Sequence, residues 1–129
     1  MTELILIRHG QTDWNVEGRY QGQADVPLNR QGLEQARKVA AALAQEKIDA
    51  IYTSDLARAR QTAEIIQQAT GAPLHIEPRL REISQGLWEG MLFSEIKARD
   101  PQRHARRKVD PLNTAPPGGE TVAQVRQRV

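Results

Sequence analysis

The sequence predicts an α/β domain on a parallel sheet, and three observations carry that reading. Short apolar runs at Leu4–Ile7, Ile48–Thr53 and Leu74–Ile76 have the length of strands. Helical patterns from Asn29 to about Glu46 and from Leu56 to Thr70 separate them. The resulting β-α-β-α-β order implies a parallel sheet with right-handed crossovers.

Taken in order, the run Leu4–Ile7 ends abruptly in Arg8, His9 and Gly10. A strand there delivers a cation and an imidazole to its carboxyl end, where open α/β sheets bind ligands. Residues 9–28 read as one polar loop holding Asn15, Gly18, Arg19, Gln21, Gly22, Asp25 and Pro27, and a loop that long inside a domain is usually functional or disordered. Asn29 is the expected N-cap of the first long helix, whose apolar face is Leu33, Ala36, Val39, Ala40 and Leu43. Ser54 and Asp55 offer caps to the second, whose stripe is Leu56, Ala59, Ala63, Ile66 and Ala69 and whose stop is Gly71. Arg58 then falls in a first helical turn beside the second strand's end, facing the same crevice as Arg8 and His9. Without its neighbours it reads as an ordinary helix-surface arginine.

Leu80–Gly90 is irregular, and a short helix from Phe93 to Asp100 ends before Pro101. Residues 101–119 hold most of the prolines and a basic cluster, and read as an excursion. A last helical pattern begins near Glu120 or Thr121 with Val122, Val125 and Val129 on one face. No glycine or proline closes it, so the helix is expected to be cut short at Val129.

With 129 residues, 39% hydrophobic content and a mean hydropathy of −0.62, a soluble single domain is expected. No run approaches a membrane span, and the N-terminal apolar run lacks a basic leader and a cleavage site, so the expected location is cytoplasmic. There is no cysteine, and His9, His75 and His104 lack zinc-site spacing, so no metal is expected. A net charge of +2 does not argue for nucleic acid. The cluster Arg103, His104, Arg106, Arg107 and Lys108 has no interleaved aromatics; it reads first as a solvated face and second as a steering patch for anionic substrates. Trp14 and Trp88 read as packing residues at a pocket wall, and His75 as a surface strand residue.

The segment RHGQTDWN at 8–15 resembles the signature of the histidine phosphatase superfamily, the phosphoglycerate mutase-like proteins, in which Arg-His-Gly is followed by Thr and Asn. YQGQADVPLNRQGLEQA, YTSDLARARQTAE, LREISQGLWEG and PPGGET follow in order and resemble the family's later blocks. The resemblance implies a three-layer α/β/α fold with a mainly parallel central sheet. Residues 1–129 then form a single domain lacking its C-terminal part, with 91–119 a lid or excursion within it.

The same resemblance assigns roles. His9 is the nucleophile that becomes phosphohistidine, and flanking cations favour its reactive neutral form. Arg8 and Arg58 clamp phosphate oxygens through planar forks. Asn15 hydrogen-bonds the phosphate, while Gln21 and Gly22 line the substrate side. Glu82, at the Leu-x-Glu position of its block, protonates the leaving alcohol and later activates water; Glu89 is its competitor. The implied partner is a small phosphorylated substrate or inorganic phosphate, with no cofactor. One part of the pattern is missing: the family's second catalytic histidine lies in a Ser-His-Gly block, which these 129 residues do not contain, on a strand placed between the first two strands here. The leading expectation is a phosphomonoesterase. Its alternatives are mutase-type phosphoryl transfer and a phosphate-binding fragment without turnover; the short span between Gly90 and Pro116 resembles the phosphatase branch.

Overall fold

Helices α2 (Arg30–Leu43) and α3 (Ala57–Thr70) form the frame of the computed structural model, which describes residues 1–129. Asn29 caps α2 as expected, its side chain accepting from the Gly32 amide at 2.9 Å. The buried stripe of α2 is Gly32, Ala36 and Ala40. Such small side chains let α3 approach α2 closely, and the buried residues of α3 are Arg58, Thr62, Ala63 and Ile66. Leu33, Val39 and Leu43 flank this seam half-buried, while Ala69, expected in the stripe of α3, is exposed. Gly71 ends α3 in the left-handed conformation, φ 72°.

The cap at the start of α3 differs from expectation. Neither Ser54 nor Asp55 supplies it; Asp25 reaches across from the preceding loop and accepts from the Ala57 amide at 2.7 Å, while Asp55 pairs with Arg81. The second segment predicted to be a strand contracts to β1 (Ile51–Thr53), which pairs in parallel with β2 (Leu74–Ile76) in the register Ile51 with Leu74, Tyr52 with His75 and Thr53 with Ile76. Helix α3 connects the two parallel strands and packs on both, which makes the unit a β-α-β of an α/β fold. His75 is exposed and stacks on Tyr52 with ring centroids 4.9 Å apart, consistent with a surface strand residue.

Leu4–Ile7 is not a strand of this sheet. It makes no backbone ladder, and the sheet has two strands rather than the expected three. Leu4 and Leu6 are 80% and 91% exposed, Ile5 and Ile7 50% and 38%. That alternation belongs to an extended chain with one face turned inward. Residue type favours extension, but a strand exists only where a neighbouring backbone completes its hydrogen bonds. None stands within reach here; Leu4–Ile7 and β1 line one cleft instead.

Three further elements depart from the expected outline. The polar loop 9–28 contains α1 (Asp13–Glu17), fixed by a capping box in which Thr12 accepts from the Asn15 amide while Asn15 Oδ1 accepts from the Thr12 amide. Leu80–Gly90 contains a short 3₁₀ turn at Gly86–Trp88, next to another at Pro78–Leu80. The short helix expected from Phe93 forms as α4 (Phe93–Arg99), but the proline-rich excursion after it is helical in its first part: α5 (Pro101–Val109) follows at once, with Pro101 at a first-turn position where its missing N–H costs no bond. Helix α6 (Val122–Arg128) begins at Thr121, whose side chain caps it in a second box with Gln124.

Candidate active site

The position of His9 is set by a close crossing of two glycines. A Cβ on Gly10 would collide with the Gly32 backbone, and a Cβ on Gly32 with the backbone of Gln11, so the chain after His9 lies directly on the first turn of α2. The Gly10 amide donates to Thr62 Oγ1 at 3.2 Å, and that hydroxyl donates to the Arg58 carbonyl at 2.8 Å. Buried Thr62 thus registers the histidine against the turn of α3 that carries Arg58.

His9 is half-buried, and its Nδ1 lies 2.6 Å from the Gly10 carbonyl oxygen. A carbonyl only accepts, so Nδ1 carries the proton and Nε2 keeps its lone pair. Burial pushes the imidazole below its ordinary value. The Gly10 bond opposes this, the positive charges of Arg58 and Arg8 lower it further, and Glu82 pulls it back. The neutral, nucleophilic form therefore persists below the usual histidine midpoint.

The same depression fixes a pH dependence. Between the folded value and the unfolded value near 6.5 the unfolded chain binds a proton that the folded chain does not, so stability rises with pH there. His9's contribution is fully present above the unfolded value and declines as pH falls through the window. Urea titrations are expected to show this slope in the native protein and a shallower one in His9→Gln.

Arg58 is 2% exposed and holds the neighbouring loop by its carbonyls, Nη1 donating to Ala24 at 2.9 Å and Nη2 to Gly22 at 2.6 Å. Its remaining N–H groups are uncommitted to the protein. Gly22 has a left-handed backbone, φ 52°, and a Cβ there would collide with Gln85 and Glu89, so the position requires glycine on both counts. Asn15 spends its carbonyl oxygen on the Thr12 amide at 2.9 Å, which leaves its NH₂ for a ligand. Thr12 is fully buried, and its hydroxyl lies 2.6 Å from Gln21 Oε1, so the Gln21 amide is oriented too.

The two candidate acids separate cleanly. Glu89 Oε1 accepts from the Gln23 and Gln85 amides at 2.9 and 3.0 Å, which commits it to holding two loops together. Glu82 is exposed, with Oε1 accepting from the Ile83 amide at 2.9 Å and Oε2 bound to no protein donor.

Arg8, His9, Asn15, Gln21, Gly22, Arg58 and Glu82 all line a single cleft of about 1510 Å³, with Tyr20 and Phe93 among its other walls. Neither tryptophan is among the lining residues: Trp88 is 3% exposed and buried against Tyr20, while Trp14 packs beside Gly90. The basic cluster divides by helix face. Arg106 and Lys108 are exposed, whereas His104 and Arg107 turn inward to Trp88, with the Arg107 guanidinium 5.7 Å from the ring centre and bonded to Gln85. Two positioning residues escaped the sequence reading. Thr12 lay inside the motif but carried no role of its own, and Thr62 gave no signal, since a threonine on a helix is unremarked until its burial is seen.

Two guanidinium groups, a neutral imidazole with an open nitrogen and a carboxyl group converge on one cleft, an arrangement able to hold a small oxyanion and offer it a lone pair. The chain belongs to the histidine phosphatase superfamily (branch 1), whose family model matches residues 4–129. It is 40% identical over its full length to phosphoserine phosphatase 1 of Hydrogenobacter thermophilus, covering 61% of that protein. It is 36% identical to the "Probable phosphoglycerate mutase GpmB" of Serratia proteamaculans, again over its full length and 60% of the relative. Among solved structures it resembles the mycobacterial glucosyl-3-phosphoglycerate phosphatase complexed with VO₃, with a TM-score of 0.85 and 40% identity over 93% of this chain and 59% of that one. The chain thus spans about 60% of the length of these relatives. The fold is the α/β fold of the phosphoglycerate mutase-like phosphatases. No helix is long and apolar enough to cross a membrane.

Proposed function

We propose that this chain carries the phosphoryl-accepting site of a phosphomonoesterase that acts on a small phosphorylated metabolite. The observation that carries the reading is the open Nε2 of His9 in the cleft lined by Arg8, Arg58 and Glu82. The phosphatase names of two relatives at 40% identity support it.

In the first step Nε2 attacks phosphorus, the bond from phosphorus to the ester oxygen breaks, and Glu82 gives its proton to the departing alkoxide. Arg8, Arg58 and the Asn15 amide hold the three peripheral oxygens, since phosphoryl transfer needs positioning and charge stabilisation more than further covalent chemistry. In the second step the Glu82 carboxylate takes a proton from water, whose oxygen attacks phosphorus. The nitrogen–phosphorus bond breaks and inorganic phosphate leaves. His9 returns to its starting tautomer, because the Gly10 carbonyl has held Nδ1–H throughout.

Mutase-type transfer is the second reading, favoured by the likeness to GpmB. In that reaction the phosphoryl group returns to another hydroxyl and water is excluded. Product analysis decides between them. Incubation with an aryl monophosphate and, separately, with a phosphoglycerate is expected to release inorganic phosphate from the first and to leave little isomerised product from the second. Isomerisation with little free phosphate favours the mutase. Phosphate binding without either product leaves a binding module.

A further inference from the structure

Glu82 stands on a segment that its own neighbours do little to hold. Leu80 and Ile83 face Val122 and Val125 of α6 and the following Val129 across a hollow of about 420 Å³, so apolar packing on this side is loose. The fixing contacts are polar: Asp55 pairs with the Arg81 side chain, Gln23 Nε2 donates to the Glu82 carbonyl at 3.2 Å, and Arg128 binds more of the segment's carbonyls than any other side chain. Arg128 donates through Nη2 to the carbonyls of Arg81 at 2.8 Å and Glu82 at 3.1 Å, and through Nη1 to that of Arg79. Its Nε and Nη2 also meet the two oxygens of Glu120 at 2.8 and 3.0 Å. Glu120 in turn accepts from the Ser84 amide at 2.9 Å, while its own amide donates to the Ser84 carbonyl at 2.9 Å. Arg128 and Glu120 therefore bracket Glu82 from Arg79 to Ser84, and both side chains are about one-fifth exposed.

We infer that Arg128, braced by Glu120, is a positioning residue for Glu82: its guanidinium sets the backbone from which the proton donor reaches the leaving oxygen. The inference rests on the phosphomonoesterase reading above. Only the planar fork fits this task, because it spans three carbonyls and a carboxylate at once, which an ammonium group cannot do.

The test compares the native chain with Arg128→Ala, Arg128→Lys and Glu120→Gln, on an activated nitrophenyl phosphate and on an unactivated alkyl phosphate. A misplaced proton donor is felt only where the leaving group needs a proton. In Arg128→Ala, kcat on the alkyl phosphate is expected to fall on the order of tenfold or more beyond its fall on the nitrophenyl phosphate, with KM and vanadate affinity near native values. Lysine should recover little. Equal losses on both substrates overturn the positioning role while leaving the phosphatase reading intact. Hydrogen exchange supplies a readout independent of turnover: amides of residues 80–84 should exchange at least about tenfold faster in Arg128→Ala, with α2 and α3 unchanged. Native exchange there overturns the inference whatever the activity. Absence of turnover in the native chain counts against the phosphatase reading, and the exchange result then decides alone whether Arg128 orders the segment.

Discussion

His9→Ala is expected to lower phosphate release from an aryl monophosphate by at least about 10³-fold while the protein still unfolds cooperatively. The large loss follows from the lack of a substitute nucleophile. His75 stacks on Tyr52 on the outer face of β2, and His104 lies against Trp88 in α5. Neither lines the cleft. The small effect on folding follows from the bonding of His9, whose ring contacts the backbone only at its own neighbour, Gly10. The parallel assay of turnover and urea unfolding separates the two effects, and activity retained in the variant would remove His9 from the nucleophile's role.

Arg58→Ala is expected to damage both properties. On the chemical side it removes a buried fork from the developing phosphoryl charge, for a loss of about 10²–10³-fold in kcat/KM. On the structural side it leaves the Gly22 carbonyl without its side-chain donor, strips the Ala24 carbonyl of one of its two donors and opens a cavity, for a cost of about 2–4 kcal/mol. Arg58→Lys distinguishes the contributions. It restores the charge but cannot reach both carbonyls and an oxyanion together, so it should recover part of the stability and little of the rate. Full recovery by lysine would mean that charge alone matters at this position.

The long helices were legible because their signals are local. The Asn29 cap and the Gly71 stop act within one turn, and the seam of Ala36, Ala40, Ala63 and Ile66 follows the helical period. Much less could be read where a structure depends on a distant partner. Leu4–Ile7 has strand chemistry, yet a strand is a property of two backbones, and the sequence does not say which second backbone is near. The cap of α3 was misread for the same reason, since Asp25 reaches it from 32 residues away while the adjacent Asp55 turns to Arg81. Helix α5 was hidden by its proline and its charge, although both suit a helix that starts at Pro101 and turns only His104 and Arg107 inward.

At the candidate site, the grouping of residues was legible and their bonding was not. The motif placed Arg8, His9, Asn15, Gln21, Gly22, Arg58 and Glu82 in one set, and they line one cleft. That Arg58 is spent partly on carbonyls, that Asn15 gives its oxygen to Thr12, and that Glu89 rather than Glu82 ties the loops together all needed coordinates. These bonds decide which atoms remain for a ligand.

The central claim is that the phosphoryl group passes through His9. Rapid quenching in base of the chain during turnover of an isotopically labelled phosphomonoester, followed by peptide mapping, tests it most directly. The expected result is a base-stable, acid-labile phosphoryl group on the peptide containing His9, absent from His9→Ala. Turnover with label on another residue, or with none captured at any quench time and undiminished in His9→Ala, would contradict it.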